Sequence, residues 1–260
     1  MHNTNEKMKV ELCWVGAASI IIKINDELKI GLDPALIKKN EIIHFKKFES
    51  QRLIAPVYKK EDFNDVDIWL LTHGHLDHID IVGKKFIDRY SKIVCSEDVN
   101  LILDDSKYIN KVILGWNEEH KLSINGYEIS IKAIPAIHGK NIFIALAYRK
   151  GNGYYVEIEK NEIKTTFYIT GDTTYNSLIL KSLGNKNIDY LFANLGQVRA
   201  KNFGGPLTMS IDMLNKFKYK LKPSKIIPLH YNDFSHYETK EEDIKNAGYD
   251  VLKRGKWRII

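Results

Sequence analysis

The chain has 260 residues, a formal net charge of +6 at neutral pH, 44% hydrophobic residues and 28% charged residues, which is ordinary for a globular protein. No apolar run approaches the roughly 20 residues that a membrane-spanning helix needs, and residues 1–9 lack the apolar core of a signal peptide. We therefore expect a cytoplasmic protein. Its lysines are scattered along the sequence, which favours a solvated surface over a nucleic-acid-binding stripe.

The first part of the chain predicts three short strands in an antiparallel meander, at residues 9–15, 19–24 and 27–32. The meander ends at Asp33-Pro34, where the proline pushes Asp33 out of helical geometry, so this aspartate is a candidate turn residue. Residues 35–65 show no clean period and predict partial helix, in what could be an insertion near the mouth of a site. The sequence defines no role for this stretch, and His44 within it is expected at the surface.

Residues 66–71 form an apolar run that predicts a buried strand, and the chain leads directly into His73, His75, Asp77 and His78. If the segment stays extended, the first three share one face while His78 points elsewhere. Imidazole and carboxylate without thiolate are the ligands of hydrolytic zinc, manganese or iron sites. A lone histidine is usually a packed or surface residue, but burying four such groups together without partners would be costly. The cluster therefore predicts metal binding.

The pattern His-x-His-x-Asp-His at the end of an apolar strand resembles the signature of the metallo-β-lactamase superfamily. This resemblance implies an α/β fold, a four-layer αββα sandwich with mixed, largely antiparallel sheets. It also implies a single domain built from two αβ halves, roughly residues 1–135 and 136–260. Because the superfamily commonly has an aspartate near the metal site, Asp33 becomes a candidate to orient a ligand histidine.

Alternating helices and strands follow, as is typical of a layered αβ domain. We predict helices at residues 79–90 and 98–105, and strands at residues 92–95, 111–114 and 127–134. An isolated histidine, His138, stands after the last of these strands. The resemblance implies that it joins His73 and His75 on one metal ion. Its neighbour Lys140 is either an exposed loop residue or a contact for an anionic substrate.

A strand at residues 141–149 and a hairpin around residues 160–162 are predicted next, and they lead to Gly171-Asp172-Thr173. On its own this tripeptide is a common helix N-cap pattern. The glycine allows close backbone approach. The resemblance implies that Asp172 is the carboxylate that bridges two metal ions.

After a helix at residues 175–183 and a strand at residues 188–194, the Gly-rich stretch 195–209 has no regular period. It is either a flexible linker or a substrate loop. Arg199 and Lys201 are its candidate contacts for an anionic substrate.

Ser210 is predicted as the N-cap of a helix through residue 221, and a strand at residues 225–229 ends at His230. The resemblance implies that this histidine is the last ligand. Tyr231 and His236 are candidates for substrate contact or proton transfer, and ordinary loop residues otherwise. A charged helix at residues 238–248 and a closing strand at residues 256–260 complete the chain.

The resemblance therefore implies a dinuclear site. One ion is held by His73, His75 and His138, and the other by Asp77, His78 and His230. Zinc is the first expectation for both ions, with manganese or iron as alternatives. Two adjacent ions lower the pKa of a bridging water toward neutrality, which supplies a hydroxide nucleophile. If one ion binds, Asp77 is free to act as the general base; Asp77 and Asp172 are thus the candidate catalytic carboxylates.

Short motifs at Asp33-Pro34, Ala136-Ile137-His138, Gly171-Asp172-Thr173 and residues 205–209 resemble the broad branch of ascorbate-6-phosphate lactonases and N-acylphosphatidylethanolamine phospholipases D. The resemblance implies a metal-dependent hydrolase that cleaves an ester-type bond, a lactone or a phosphodiester. The expected substrate is a small molecule, either anionic or neutral. The alternatives are a nuclease or cyclic-nucleotide phosphodiesterase, an iron-dependent redox protein and a non-catalytic metal-binding module. The sequence leaves open whether the chain forms a homo-oligomer.

Overall fold

The computed structural model describes residues 7–45, 48–104, 106–139, 151–198 and 205–260. Within these ranges the chain folds into two large sheets that pack face to face, with short helices on their outer sides. No helix in these ranges is both long and apolar enough to cross a lipid bilayer.

The first sheet has seven strands in the order β15-β1-β2-β3-β6-β7-β8. These strands are β1 Val10–Gly16, β2 Ser19–Ile24, β3 Leu28–Leu32, β6 Ile68–Leu71, β7 Lys92–Cys95, β8 Lys111–Ile113 and β15 Trp257–Ile259. Strands β1, β2 and β3 form the predicted antiparallel meander, whereas β3, β6, β7 and β8 run parallel. The C-terminal strand β15 pairs with the N-terminal strand β1.

The second sheet has six strands in the order β14-β13-β12-β11-β10-β9. These are β9 Glu119–Ile124, β10 Tyr127–Ala136, β11 Gly151–Lys160, β12 Ile163–Ile169, β13 Tyr190–Asn194 and β14 Lys225–Leu229. The predicted hairpin is the antiparallel pair β11–β12. The sheet already begins at β9, ahead of the division near residue 135 that the sequence predicts. Strand β9 was not predicted, because its side chains alternate between exposed and half-buried and none is fully buried.

The helices are α1 Glu97–Asn100, α2 Ser177–Leu183, α3 Ile211–Leu221 and α4 Glu241–Asn246. Ser210 caps α3 as predicted, since its hydroxyl accepts a hydrogen bond from the Met213 backbone N–H. The helix predicted at residues 98–105 is reduced to α1. The helix predicted at residues 79–90 is wrong, because this segment contains only a 3-10 turn at Gly83–Phe86.

The side chain of Asp80 explains why residues 79–90 do not form a helix. Its carboxylate accepts hydrogen bonds from the backbone N–H groups of Val82 and Gly83, and from those of Leu36 and Ile37. Local side-chain acceptors of this kind compete with helical hydrogen bonds. The apolar side chains whose spacing predicted a helix belong instead to an irregular segment that packs against the rest of the protein.

The described residues between 35 and 65 form no α-helix, so the predicted partial helix is reduced to one 3-10 turn. They contain a small two-stranded sheet of β4 Ile42–His44 and β5 Glu49–Gln51, followed by a 3-10 turn at Lys60–Phe63. His44 is exposed, as predicted. We call this two-stranded sheet, together with the described residues between its strands, the β4–β5 hairpin.

The main hydrophobic core lies between the two large sheets. It joins side chains of the first sheet, such as Leu12 and Ile22, to side chains of the second, such as Ile129 and Phe192. A second cluster around Trp69 and Val99 covers the outer face of the first sheet, and α2 and α3 pack on the second. The predicted αββα sandwich is therefore confirmed.

Candidate metal centre

Five of the chemically notable residues stand within three residues after strands that end at one edge of the sandwich. His73 follows β6 and Asp33 follows β3, two parallel neighbours of the first sheet. His138, Asp172 and His230 follow β10, β12 and β14. These three strands of the second sheet run in the same direction, because β10 and β12 are both antiparallel to β11, and β12, β13 and β14 are parallel. Distant parts of the sequence therefore meet at this edge.

The first group of candidate ligands consists of three histidines. His73, His75 and His138 each offer a ring nitrogen, and these atoms lie within 4.8 Å of one another. The Nε2 of His73 is 2.9 Å from the Nδ1 of His75. This set is the one predicted for the first ion, and its spacing suits three nitrogen ligands around one small cation.

The second group contains Asp77, His78, Asp172 and His230, whose ligand atoms also lie within 4.8 Å of one another. All four side chains are buried. The expectation that Asp77 would share an extended face with His73 and His75 is wrong, because the chain turns at His75. The backbone N–H groups of His78 and Ile79 both donate to the carbonyl of His75, and this turn delivers Asp77 and His78 to the second group.

The left-handed backbone conformations of His230 and Gly171 shape the site. They position the side chain of His230 and that of Asp172, which follows Gly171. His230 has a φ of 60°, an uncommon value for a residue with a side chain, and its N–H donates to Ala17 at 2.9 Å. Gly171 has a φ of 58°, and a Cβ there would lie 2.7 Å from the carbonyl oxygen of Asn152. Only a glycine fits before Asp172, as the sequence indicates.

The two groups differ in charge. Burial, together with neighbouring histidines, lowers the pKa values of His73 and His75 and brings the pKa of His138 to about 3. These rings are therefore neutral near pH 7, the form that binds a metal. In the second group burial opposes the charge of His78, but the carboxylates of Asp172 and Asp33 outweigh it and hold its pKa well above the ordinary value.

Asp33 fixes the orientation of His78. Its Oδ2 is 2.7 Å from the Nδ1 of His78 and accepts a hydrogen bond from the Thr72 hydroxyl at 2.5 Å. The other oxygen, Oδ1, accepts from the Thr72 backbone N–H at 2.7 Å. The Nε2 of His78 is thereby aimed toward Asp172, at 3.2 Å from Oδ1. This arrangement supports the predicted role of Asp33 behind a ligand histidine.

Asp77 is held through one oxygen and leaves the other without a hydrogen bond. Its Oδ2 lies 3.1 Å from the Nε2 of His236 and 3.1 Å from the hydroxyl of Tyr237. The same hydroxyl is 2.8 Å from the Nε2 of His230. Oδ1 of Asp77 is buried and has no hydrogen-bond partner among the described residues. A buried carboxylate oxygen in this state fits a metal ligand, because leaving it without any partner is costly.

Sequence reasoning missed three side chains that hold these ligands: Thr72, Tyr237 and Asn194. The amide of Asn194 donates to Oδ1 of Asp172 at 3.1 Å. Asn194 ends β13, between the ligand-bearing strands β12 and β14, so its place at a strand end was the available signal. Tyr237 lies in a loop and gives no such signal.

The sequence-predicted substrate residues have different outcomes. His236 lies at the site, with Nε2 on Asp77 and Nδ1 2.5 Å from the hydroxyl of Ser50. Tyr231 points into the protein, where its fully buried ring packs 4.9 Å from Trp14. This position gives Tyr231 a packing role and does not support substrate contact. The predictions for Lys140, Arg199 and Lys201, and for a strand at residues 141–149, lie outside the described residues.

A small cavity of about 20 Å³ opens directly above the two groups. Its floor is polar and its walls are largely apolar. The lining residues are Phe45, Phe48, His75, Asp77, His138, Asp172, Val198, Leu207, Thr208 and His236. Within the part of the chain that the structure describes, this cavity reaches the ligand groups past largely apolar side chains.

Two packed sheets with histidines and aspartates at their common edge define a protein of the metallo-β-lactamase fold. A model of the β-lactamase superfamily domain matches residues 39–231. A metal-dependent hydrolase of the UPF0173 group from Pyrococcus horikoshii is 31% identical over 207 residues, which are 76% of this chain and 83% of that protein. The chain belongs to the β-lactamase superfamily.

Two further similarities bear on the predicted branch and on the fold. An N-acyl-phosphatidylethanolamine-hydrolyzing phospholipase D of Caenorhabditis elegans is 25% identical over 184 residues, 66% of this chain and 49% of that protein. The crystal structure of an isothiocyanate hydrolase from Delia radicum gut bacteria superposes with a TM-score of 0.78 at 20% identity, covering 95% of this chain and 98% of that one. The predicted superfamily is confirmed, and so is the coarse class of metal-dependent hydrolase.

Proposed function

We propose that this protein uses two divalent metal ions to hydrolyse an ester-type bond, a lactone or a phosphodiester, in a small molecule. His73, His75 and His138 hold one ion. Asp77, His78 and His230 hold the other, and Asp172 bridges the two.

The position of Asp172 carries this proposal. Its Oδ2 faces the first group, 3.9 Å from the Nε2 of His138. Its Oδ1 faces the second group, 3.2 Å from the Nε2 of His78 and 3.6 Å from the Nε2 of His230. One carboxylate with its two oxygens turned toward two adjacent ligand groups is the arrangement that a bridging ligand requires.

The chemistry divides between the ions and the side chains. When bound, two divalent ions supply a water whose pKa is near neutral, and their positive charge also stabilises the substrate oxygen that becomes negative during hydrolysis. Asp172 spaces the two groups, and Asn194 keeps its carboxylate from rotating. Asp77 stays ionised: burial raises its pKa, but His230 and His236 outweigh burial and hold that pKa well below the usual range. His236 lines the cavity beside Asp77, within reach of a departing group.

The choice of an ester-type bond rests on similarity. The phospholipase D of Caenorhabditis elegans is named for hydrolysing a phosphodiester-containing lipid, in agreement with the branch that the sequence motifs resemble. The nuclease, redox and binding-module alternatives gain no support from the described residues.

The first experiment is metal analysis by mass spectrometry on protein purified without chelator, followed by assay of the same sample against lactones and phosphodiesters. We expect about two zinc or manganese ions per chain and turnover of one substrate class. Iron without hydrolysis would favour the redox alternative. A protein that binds no metal would refute the ligand assignment.

A pair of histidine variants tests the assignment more closely. His75→Ala should lower the metal content and impair hydrolysis while the protein remains folded by circular dichroism. His120→Ala, on the edge strand β9, is the matched control and should behave like the wild type. Full activity of His75→Ala would contradict the proposal.

A further inference from the structure

The β4–β5 hairpin places two phenylalanine rings over the candidate metal centre. Phe45 and Phe48 stack on each other with ring centroids 4.4 Å apart. Phe45 also contacts His75 edge-on at 5.6 Å and His236 at 5.2 Å, and Phe48 lies 5.5 Å from His236. The two rings are half-buried, so each presents apolar surface at the mouth of the cavity.

The base of the hairpin is fixed to the segment that follows His230. Arg52 is fully buried; it donates hydrogen bonds to the carbonyls of Ala35 and Ile54 and forms an isolated bridge with Phe234. The backbone N–H of Leu53 donates to Asp233 at 2.7 Å. The Nη2 of Arg52 also lies 3.8 Å from Oδ1 of the buried Asp233. The hairpin is therefore a fixed wall of the site rather than a loosely attached connection.

The opposite wall is aliphatic. Val198 and Leu207 line the same cavity and belong to an apolar cluster that also includes Ile43 and Phe234, with Phe45 packed against it. Val198 and Leu207 are connected by a hydrogen bond from the Leu207 N–H to the Val198 carbonyl at 2.6 Å. The entrance is thus framed by aromatic side chains on one side and aliphatic side chains on the other.

The size of the cavity limits what reaches the polar floor. A volume of about 20 Å³ holds roughly one water-sized group. Only the reacting end of an ester group fits at the ligand atoms, and the substituent attached to it must then lie along the apolar walls. A charged substituent there would lose hydration without a partner from these four side chains, which is costly, whereas an apolar one gains from burial.

We propose that the substrate carries a flat apolar substituent, an aryl group, next to the scissile ester group, and that Phe45, Phe48, Val198 and Leu207 bind it. This inference rests on the proposed hydrolase function and adds the chemical class of the substrate. The β4–β5 hairpin is the specificity element of the site, which gives residues 35–65 their role.

The test compares two phosphonates that differ in this substituent. Methylphosphonate and phenylphosphonate are titrated into zinc-loaded protein by isothermal calorimetry. Wild-type protein should bind phenylphosphonate at least about tenfold more tightly, as expected when an apolar group fills an apolar subsite. Phe48→Ala should reduce this preference to about threefold or less, while its affinity for methylphosphonate and its zinc content stay at wild-type values.

Two further variants keep the test decisive. Phe48→Leu retains an apolar wall without the ring and should show an intermediate preference, and it replaces Phe48→Ala if that variant does not fold. Tyr219→Ala, which changes an exposed aromatic residue on α3, should leave both affinities unchanged.

The outcomes separate this inference from the proposed function. If methylphosphonate binds but wild-type protein shows no preference for the phenyl compound, the apolar subsite is refuted and the hydrolase proposal stands. A preference that survives in the Phe48 variants refutes the role of the hairpin. If neither phosphonate binds and zinc is absent, the proposed function fails, and this inference fails with it.

Discussion

The two ligand groups lie side by side, yet they are stabilised in different ways. In the three-histidine group, burial keeps the rings uncharged, and His75 is partly open to the cavity. In the second group, two aspartates and two histidines are buried and already paired with one another and with Asp33 and Tyr237. To bind a cation, the first group must give up the contact between His73 and His75. To bind a cation, the second group must lose internal contacts and release a proton.

This difference suggests an order of filling. The first ion should bind to the three histidines without displacing a proton, and the second should bind more weakly and with greater dependence on pH. Hydrolysis by two ions would then be limited by the second group. The following predictions test this comparison, from the largest expected effect to the smallest.

Asp172→Asn removes the negative charge that faces both groups while preserving the side-chain shape. We expect kcat/KM to fall by about a thousandfold or more, because neither the spacing of the ions nor the charge balance survives. Activity is measured on protein whose metal content has been determined. Asp65→Asn is the control, since Asp65 is exposed and its left-handed backbone conformation also suits asparagine. Wild-type activity of Asp172→Asn would eliminate the bridging role.

Asp33→Asn should weaken the second group selectively. The variant loses the carboxylate that accepts from His78 and Thr72, and loss of such a supporting residue typically lowers metal affinity by about 10- to 100-fold. Zinc titration with a competing chromogenic chelator should show one weakened step and one unchanged step. Equal weakening of both steps would show that Asp33 supports the whole edge and not His78 in particular.

Filling of the second group should release a proton. The pKa of His78 is raised by Asp172 and Asp33, so the ring carries a proton below that pKa and a cation must displace it. Affinity for the second ion should then increase with pH, by up to about tenfold per unit for one proton released. The first step should depend little on pH near neutrality. Calorimetry in buffers of different ionisation enthalpy measures the released protons, and proton-free binding of the second ion would contradict this comparison.

Tyr237→Phe should have the smallest effect. The hydroxyl connects Asp77 to His230, and removing it should change affinity for the second ion by only a few-fold, about the value of one hydrogen bond. The ring stays in place, tilted against His230 with ring centroids 4.2 Å apart. A change confined to the second step in zinc titration confirms the position of the hydroxyl; a change in the first step would argue against it.

Most candidate ligands could be predicted from the sequence because a histidine or an aspartate follows an apolar strand. His138, Asp172 and His230 were recognisable despite their separation because they stand where the resemblance places the next ligands. The resemblance then gave each one its role.

The entrance of the site could not be predicted in the same way. Phe45 and Phe48 lie on a short hairpin with no hydrophobic period, and their position depends on the buried contacts of Arg52 with distant residues. The segment at residues 79–90 shows the opposite problem: its spacing is helical, but Asp80 captures the backbone N–H groups that a helix would use. Local pattern fails where tertiary hydrogen bonds decide the conformation.

The pairing of β15 with β1 has a consequence for how the molecule forms. Glu11 lies opposite Ile259, so the first sheet acquires this edge strand only after the chain has been synthesised beyond residue 259. Contacts between such distant residues require a large loop to close, and proteins rich in them fold slowly. During synthesis β1 therefore remains an open edge that is exposed to mispairing.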